Sequence, residues 1–197
     1  MKQAAVLAAF IAVVCSSYAT PVRKEGSLKI PGDTSMLTYP GIHDMLQKII
    51  DATGQSINFE LKEANVLNIE ASFKHKKRYI LYNPAFITSL GTASKDNWTI
   101  MALLAHEVGH HLNGHTMKRG GSSPALELEA DEFAGFILYK LGATLAQSQN
   151  VMNYIAKTKE SKTHPARDSR MTAIEKGWNK AFEAIAVTGK RSSSQSF

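Results

Sequence analysis

His106, Glu107 and His110 stand as H-E-x-x-H within residues 99–115, TIMALLAHEVGHHLNGH. On a helix, residues four apart lie on one face, so the two imidazoles converge on a single point from adjacent turns. Neutral ring nitrogens at that spacing suit zinc. Glu107 is rotated out of that coordination and reaches a water on the open side, where a general base is wanted. By composition alone the pattern arises in about one chain in a hundred of this length. Its setting adds weight, because Val108 and residues 101–105 form an apolar face with no packing use for two histidines and a glutamate. The competing reading is a satisfied cluster of core histidines. Burying unpaired charge is costly, and a cation removes the cost.

A catalytic zinc has three protein ligands and one open position. The metzincin register asks for histidine ten places after the first ligand and glycine seven after; Thr116 and Asn113 stand there instead. His115 is therefore read as structural, with a role at the edge of the site left open. His111 points about 100° away from His110 and is a poor ligand. The better source is Glu127-Leu128-Glu129-Ala130-Asp131. Glu127 and Asp131 share a helix face, so one can bind metal while the other accepts the second N–H of a ligating imidazole. Glu129 and Glu132 lie off that face and are expected in solvent. Ala130 and Ala134 are small enough for close helix packing.

These groups need a scaffold, and the 197 residues, 44% of them apolar, suffice for one domain. Lys2, the apolar run 4–14 and Ser17-Tyr18-Ala19 resemble a secretory signal over residues 1–19. Residues 20–39, with Pro31-Gly32-Asp33, read as a poorly ordered lead-in, 40–186 as the domain, and 187–197 as a disordered Ser-rich tail. The only cysteine, Cys15, lies in the signal, so the exported chain has no disulfide and its metal ligands are His and carboxylate. Lipidation of Cys15 is disfavoured, because Ala12-Val13-Val14 lacks the small residue it requires. The expected compartment is the periplasm or cell envelope, with full secretion as the alternative. The net charge of +6 is partly concentrated in Lys74-His75-Lys76-Lys77-Arg78. That run reads as a solvated hairpin tip rather than a nucleic-acid site, with contact to anionic membrane as the lesser alternative.

Apolar spacing predicts a helix over 40–54, with Ile42, Met45, Leu46, Ile49 and Ile50 on one stripe and His43 off it. Alternation predicts strands at 57–61, 66–73 and 78–82. Asn83-Pro84 starts a short helix that Gly91 closes, Asp96 or Asn97 caps the H-E-x-x-H helix, and Ser123-Pro124 opens one running to 141. Further helices are expected over 144–157 and 165–185, separated by a polar loop at 160–164. The fold class is α+β, mostly helical, with a small three-stranded sheet and H-E-x-x-H on a core helix.

HEVGHH, then ELEAD, then Thr163-His164-Pro165 with Arg170 six residues after the histidine resembles the gluzincin metallopeptidases. That family includes the type I CAAX prenyl proteases, the HtpX membrane heat-shock proteases and soluble periplasmic proteases of the BepA type. The resemblance covers roughly residues 65–178. It implies a zincin-like fold holding one zinc ion per chain, with His106, His110 and Glu127 as ligands, Glu107 as catalytic base and Asp131 supporting a ligand imidazole. It further implies that His164 approaches the zinc as a regulatory or transition-state group, with Arg170 behind the ligands alongside Asp131 and anchoring the His164 loop. No apolar run after the signal is long enough to span a bilayer, which places the chain with the exported soluble branch.

The function expected is a zinc endopeptidase that cleaves unfolded or misfolded envelope proteins, in quality control. Arg78, Tyr79, Ile80, Leu81, Tyr82 and Asn83 are expected to form a sheet edge on which an extended substrate adds by backbone pairing. The alternatives are a non-catalytic module with His164 as a permanent fourth ligand to a structural zinc, and a chaperone-like binder using the same edge. Nucleic acid is not an expected partner.

Overall fold

The computed structural model describes residues 41–57, 59–118 and 121–193, the last seven by backbone alone. The expected signal and lead-in, with Cys15, lie outside the described residues. Helix α1 (Ile42–Thr53) buries Met45, Leu46 and Ile49, leaves His43 exposed, and stops at Gly54, whose φ of 70° turns the chain left-handed. Three strands follow: β1 (Phe59–Glu63), β2 (Ile69–Lys74) and β3 (Lys77–Tyr82). The first begins two residues later than alternation predicted, and the second three later.

β2 and β3 form a hairpin whose two-residue loop, His75-Lys76, has positive φ at both positions. That backbone twist matches the twist of the strands it joins. β1 then pairs parallel to β3, so the sheet order is β1-β3-β2. The expectation of an edge at residues 78–83 is therefore overturned. β3 is the central strand, with its backbone groups shared between both neighbours, and the edge that faces the helices' functional end belongs to β2.

Asn83 caps α2 (Pro84–Ser94), its side chain accepting from the N–H groups of Ala85 and Phe86. Gly91 does not end this helix; it is buried inside it and Lys95 takes the left-handed terminal position. Asp96 caps α3 (Asn97–Leu112), accepting from Trp98 N–H at 2.8 Å. α3 is the centre of the molecule: residues 99–109 are all buried, between the sheet, α1, α2 and the next long helix. That helix, α4 (Pro124–Lys140), follows a short 3-10 turn at His115–Met117.

The helix expected over 144–157 is two short ones, α5 (Leu145–Gln149) and α6 (Met152–Ile155). Around Asn150 the backbone bonds tighten to partners three residues back, while the Asn150 side chain donates to Thr99 Oγ1. The last helix, α7 (Arg167–Ser193), continues past residue 185 into the segment read as tail. It lies against α4 at a crossing made by glycines. A Cβ on Gly177 would sit 1.8 Å from the Glu132 carbonyl oxygen, and one on Gly135 would sit 2.0 Å from that of Ile174. Among the described residues no helix is long and apolar enough to cross a membrane.

Candidate metal centre

α3 presents His106 and His110 on successive turns of one face, as their spacing requires, and α4 brings Glu127 against them. His110 Nε2 lies 3.0 Å from His106 Nε2. Glu127 Oε2 lies 3.3 Å from His106 Nε2, and Glu127 Oε1 lies 3.5 Å from His110 Nε2. Ligands about 2.0–2.1 Å from a tetrahedral ion are separated by about 3.3 Å, close to each of these three contacts, in which Glu127 meets one histidine with each of its oxygens. Among the described residues this is the group of His and carboxylate side chains that could hold a metal.

The outer nitrogens decide what the inner ones can do. His106 Nδ1 lies 2.8 Å from Asp131 Oδ1, an acceptor only, so that ring carries a proton on Nδ1. A neutral His106 then points a bare Nε2 at His110 and at the Glu127 carboxylate. Acceptors facing one another call for a cation. In the metal-free protein a proton takes that part: burial disfavours the charge, but Asp131 and Glu127 outweigh it and push His106 up to about 10. Glu127 and Asp131 are held below the ordinary carboxylate range despite burial, chiefly by His106, with Arg170 also acting on Asp131. Two nitrogens and a carboxylate oxygen are the donor set that zinc and its first-row neighbours favour.

Arg170, buried on α7, donates from Nε to Asp131 Oδ2 and from Nη2 to Asp131 Oδ1, both at 2.7 Å. This is a forked, two-bond grip on the carboxylate that orients His106. Arg170 thus holds Asp131 rather than the loop of His164. Ser122, which nothing in the sequence singled out, donates to Glu127 Oε1.

Glu107 is buried beside the ligands, and Oε2 accepts from the backbone N–H of Ala71 on β2 at 2.6 Å. Burial raises its carboxyl to about 7, opposed by His106 and the Ala71 N–H. The Ala71 bond also reveals the edge. Ala71 pairs with Ile80, and its N–H points away from β3. By alternation the N–H and C=O groups of Ile69 and Phe73 share that open side. A cleft of about 490 Å³ runs along it, lined by Ile69, Ala71, Glu107, both ligand histidines and Glu127.

His164 lies on the rim of this cleft, exposed, with Nδ1 2.8 Å from Thr163 Oγ1. It stands outside the converging group. His111 is a core histidine: Nε2 donates to the Tyr79 carbonyl at 2.8 Å and the ring stacks on Phe59. His115 sits closer to the centre than its sequence position suggested. It is buried, and its Nδ1 faces Nδ1 of His110 at 3.0 Å. Its Nε2 donates to Glu129 Oε2 at 2.9 Å, so Glu129 is not simply a solvated charge. Burial lowers the His115 ring, with Glu129 opposing, which favours its neutral form. The one available signal was the five-residue step from His110 to His115, and only the left-handed turn at Gly114 makes it effective.

No protein-family model, curated protein or solved structure matches the chain.

Proposed function

We propose that this protein is a zinc-dependent endopeptidase of the gluzincin kind, cutting extended segments of unfolded polypeptide in the cell envelope. One observation carries the reading: two imidazole nitrogens and the carboxylate of Glu127, in contact at 3.0, 3.3 and 3.5 Å, lie beside a second buried carboxylate on an open cleft. Zinc held by His106, His110 and Glu127 would supply the Lewis acidity that activates water and steadies the negative charge on the scissile carbonyl.

The chain's own residues do the rest. Glu107 takes the proton of the attacking water and returns it to the leaving amine, a task suited to a carboxyl held beside the ligands and oriented by the Ala71 N–H. Asp131, gripped by Arg170, keeps the His106 proton on Nδ1. An extended peptide fits along the outward groups of Ile69, Ala71 and Phe73, where backbone pairing gives affinity with little sequence preference. That preference suits unfolded clients. Hydrolysis is favoured over a closed structural zinc because His164, the fourth ligand of that alternative, lies outside the ligand group.

The test is zinc content and casein hydrolysis of the wild type beside Glu107→Gln. The wild type should bind one zinc and cleave; the variant should keep the zinc and lose cleavage by at least about 100-fold. A zinc-loaded wild type that cleaves nothing would leave a metal-stabilised binding module as the function.

A further inference from the structure

Each ligand imidazole must present a bare Nε2, and each therefore needs something to hold its proton on Nδ1. For His106 that group is Asp131. For His110 no carboxylate stands at the same place; Nδ1 instead faces His115 Nδ1 at 3.0 Å. Two ring nitrogens bond only if one carries the proton, so a third group has to choose. Glu129 makes the choice. It accepts from His115 Nε2 at 2.9 Å, and a carboxylate cannot donate, so His115 carries its proton on Nε2 and leaves Nδ1 bare. His110 must then donate from Nδ1, and its Nε2 lone pair faces the ligand group.

We propose that Glu129 and His115 are positioning residues, a two-link relay that holds His110 in its metal-binding tautomer as Asp131 holds His106. The relay rests on the metal-centre reading above and assigns a use to two residues outside the ligand set. The opposite polarity, with His115 donating from Nδ1, would place the His110 proton on Nε2 and close that atom to a cation. The geometry leaves little slack. His115 is buried, its ring meets that of His110 edge to face at 5.1 Å and 70°, and it is carried on the short turn between α3 and α4. Glu129 reaches it from α4, the helix that also supplies Glu127 and Asp131. Both ligand imidazoles are thus oriented from α4.

Zinc affinity, measured by chelator competition, tests the relay. The Glu129 side chain is 57% exposed, so Glu129→Leu is compatible with folding. It should weaken zinc binding about 10- to 100-fold with the melting temperature of the metal-free protein unchanged. Glu129→Gln, which keeps an acceptor oxygen without the charge, should recover most of the loss. His115→Phe, which keeps a ring but no nitrogen, should weaken binding at least as much as Glu129→Leu. Wild-type affinity in Glu129→Leu and His115→Phe overturns the relay. Equal losses in Glu129→Gln and Glu129→Leu also overturn it, since charge alone would then explain both. A wild type that binds no zinc is a different result: it removes the metal centre itself, and the relay with it.

Discussion

A buried carboxyl, whatever its catalytic use, leaves a signature in stability. Glu107 has its folded value raised to about 7 from an unfolded value of 4.5. Between those values the folded state holds a proton that the unfolded state has lost, so stability falls as pH rises through the interval. The contribution is fully present below about 4.5 and gone above about 7. In the metal-free protein Glu107→Gln cannot titrate, yet still accepts from Ala71 N–H. It should be more stable than the wild type at pH 8 by roughly 1–3 kcal/mol, and the gain should vanish by pH 4. Thermal melts of the two proteins across that range check this. A pH-independent difference would show that Glu107 does not titrate as its burial requires.

At the scale of elements, the site depends on how closely two helices approach. α4 carries Glu127 and Asp131, and α7 carries Arg170. Gly177 and Gly135 let the two backbones meet where any side chain would strike a carbonyl. Both clashing atoms are main chain, so neither can swing aside. Gly177→Ala should therefore part the helices, costing about 1–3 kcal/mol and drawing Arg170 away from Asp131. Denaturant unfolding measures the first effect and zinc affinity the second. Gly41→Ala, where a Cβ meets nothing within 4 Å, is the control.

For the whole molecule, the metal binds the folded state far better than the unfolded one, because its ligands come from two helices and Glu127 lies 17 residues beyond His110 in the chain. Zinc at 1,000 times its dissociation constant should add about 4 kcal/mol of stability, and chelation should remove it. Magnesium should not substitute, since it favours an all-oxygen octahedral shell. Calorimetry with zinc, with chelator and with magnesium distinguishes these. An equal melting temperature in all three would mean that nothing couples a cation to this fold.

Local chemistry determines local structure, and that much was legible in the residues. The fold class, the caps at Asn83 and Asp96, the stripe of α1 and the hairpin follow from spacing and side-chain type. So does the meeting of His106 and His110, since an i, i+4 pair on a helix has one geometry. Glu127 and Asp131 were legible as a pair because they too share a helix face. Pairings between distant segments were not. Strand order depends on pairing between distant segments, and because β1 pairs with β3, β3 is central and the open edge at the site is that of β2. Glu129 looked like surface charge and His115 like packing until the turn at Gly114 placed one against the other. Arg170 was expected both behind the ligands and on the loop of His164; it reaches Asp131, while His164 lies on the rim. Contacts within one helix need only the rise and twist of that helix. Contacts between helices depend on how the whole core closes, and no single stretch of chain encodes that.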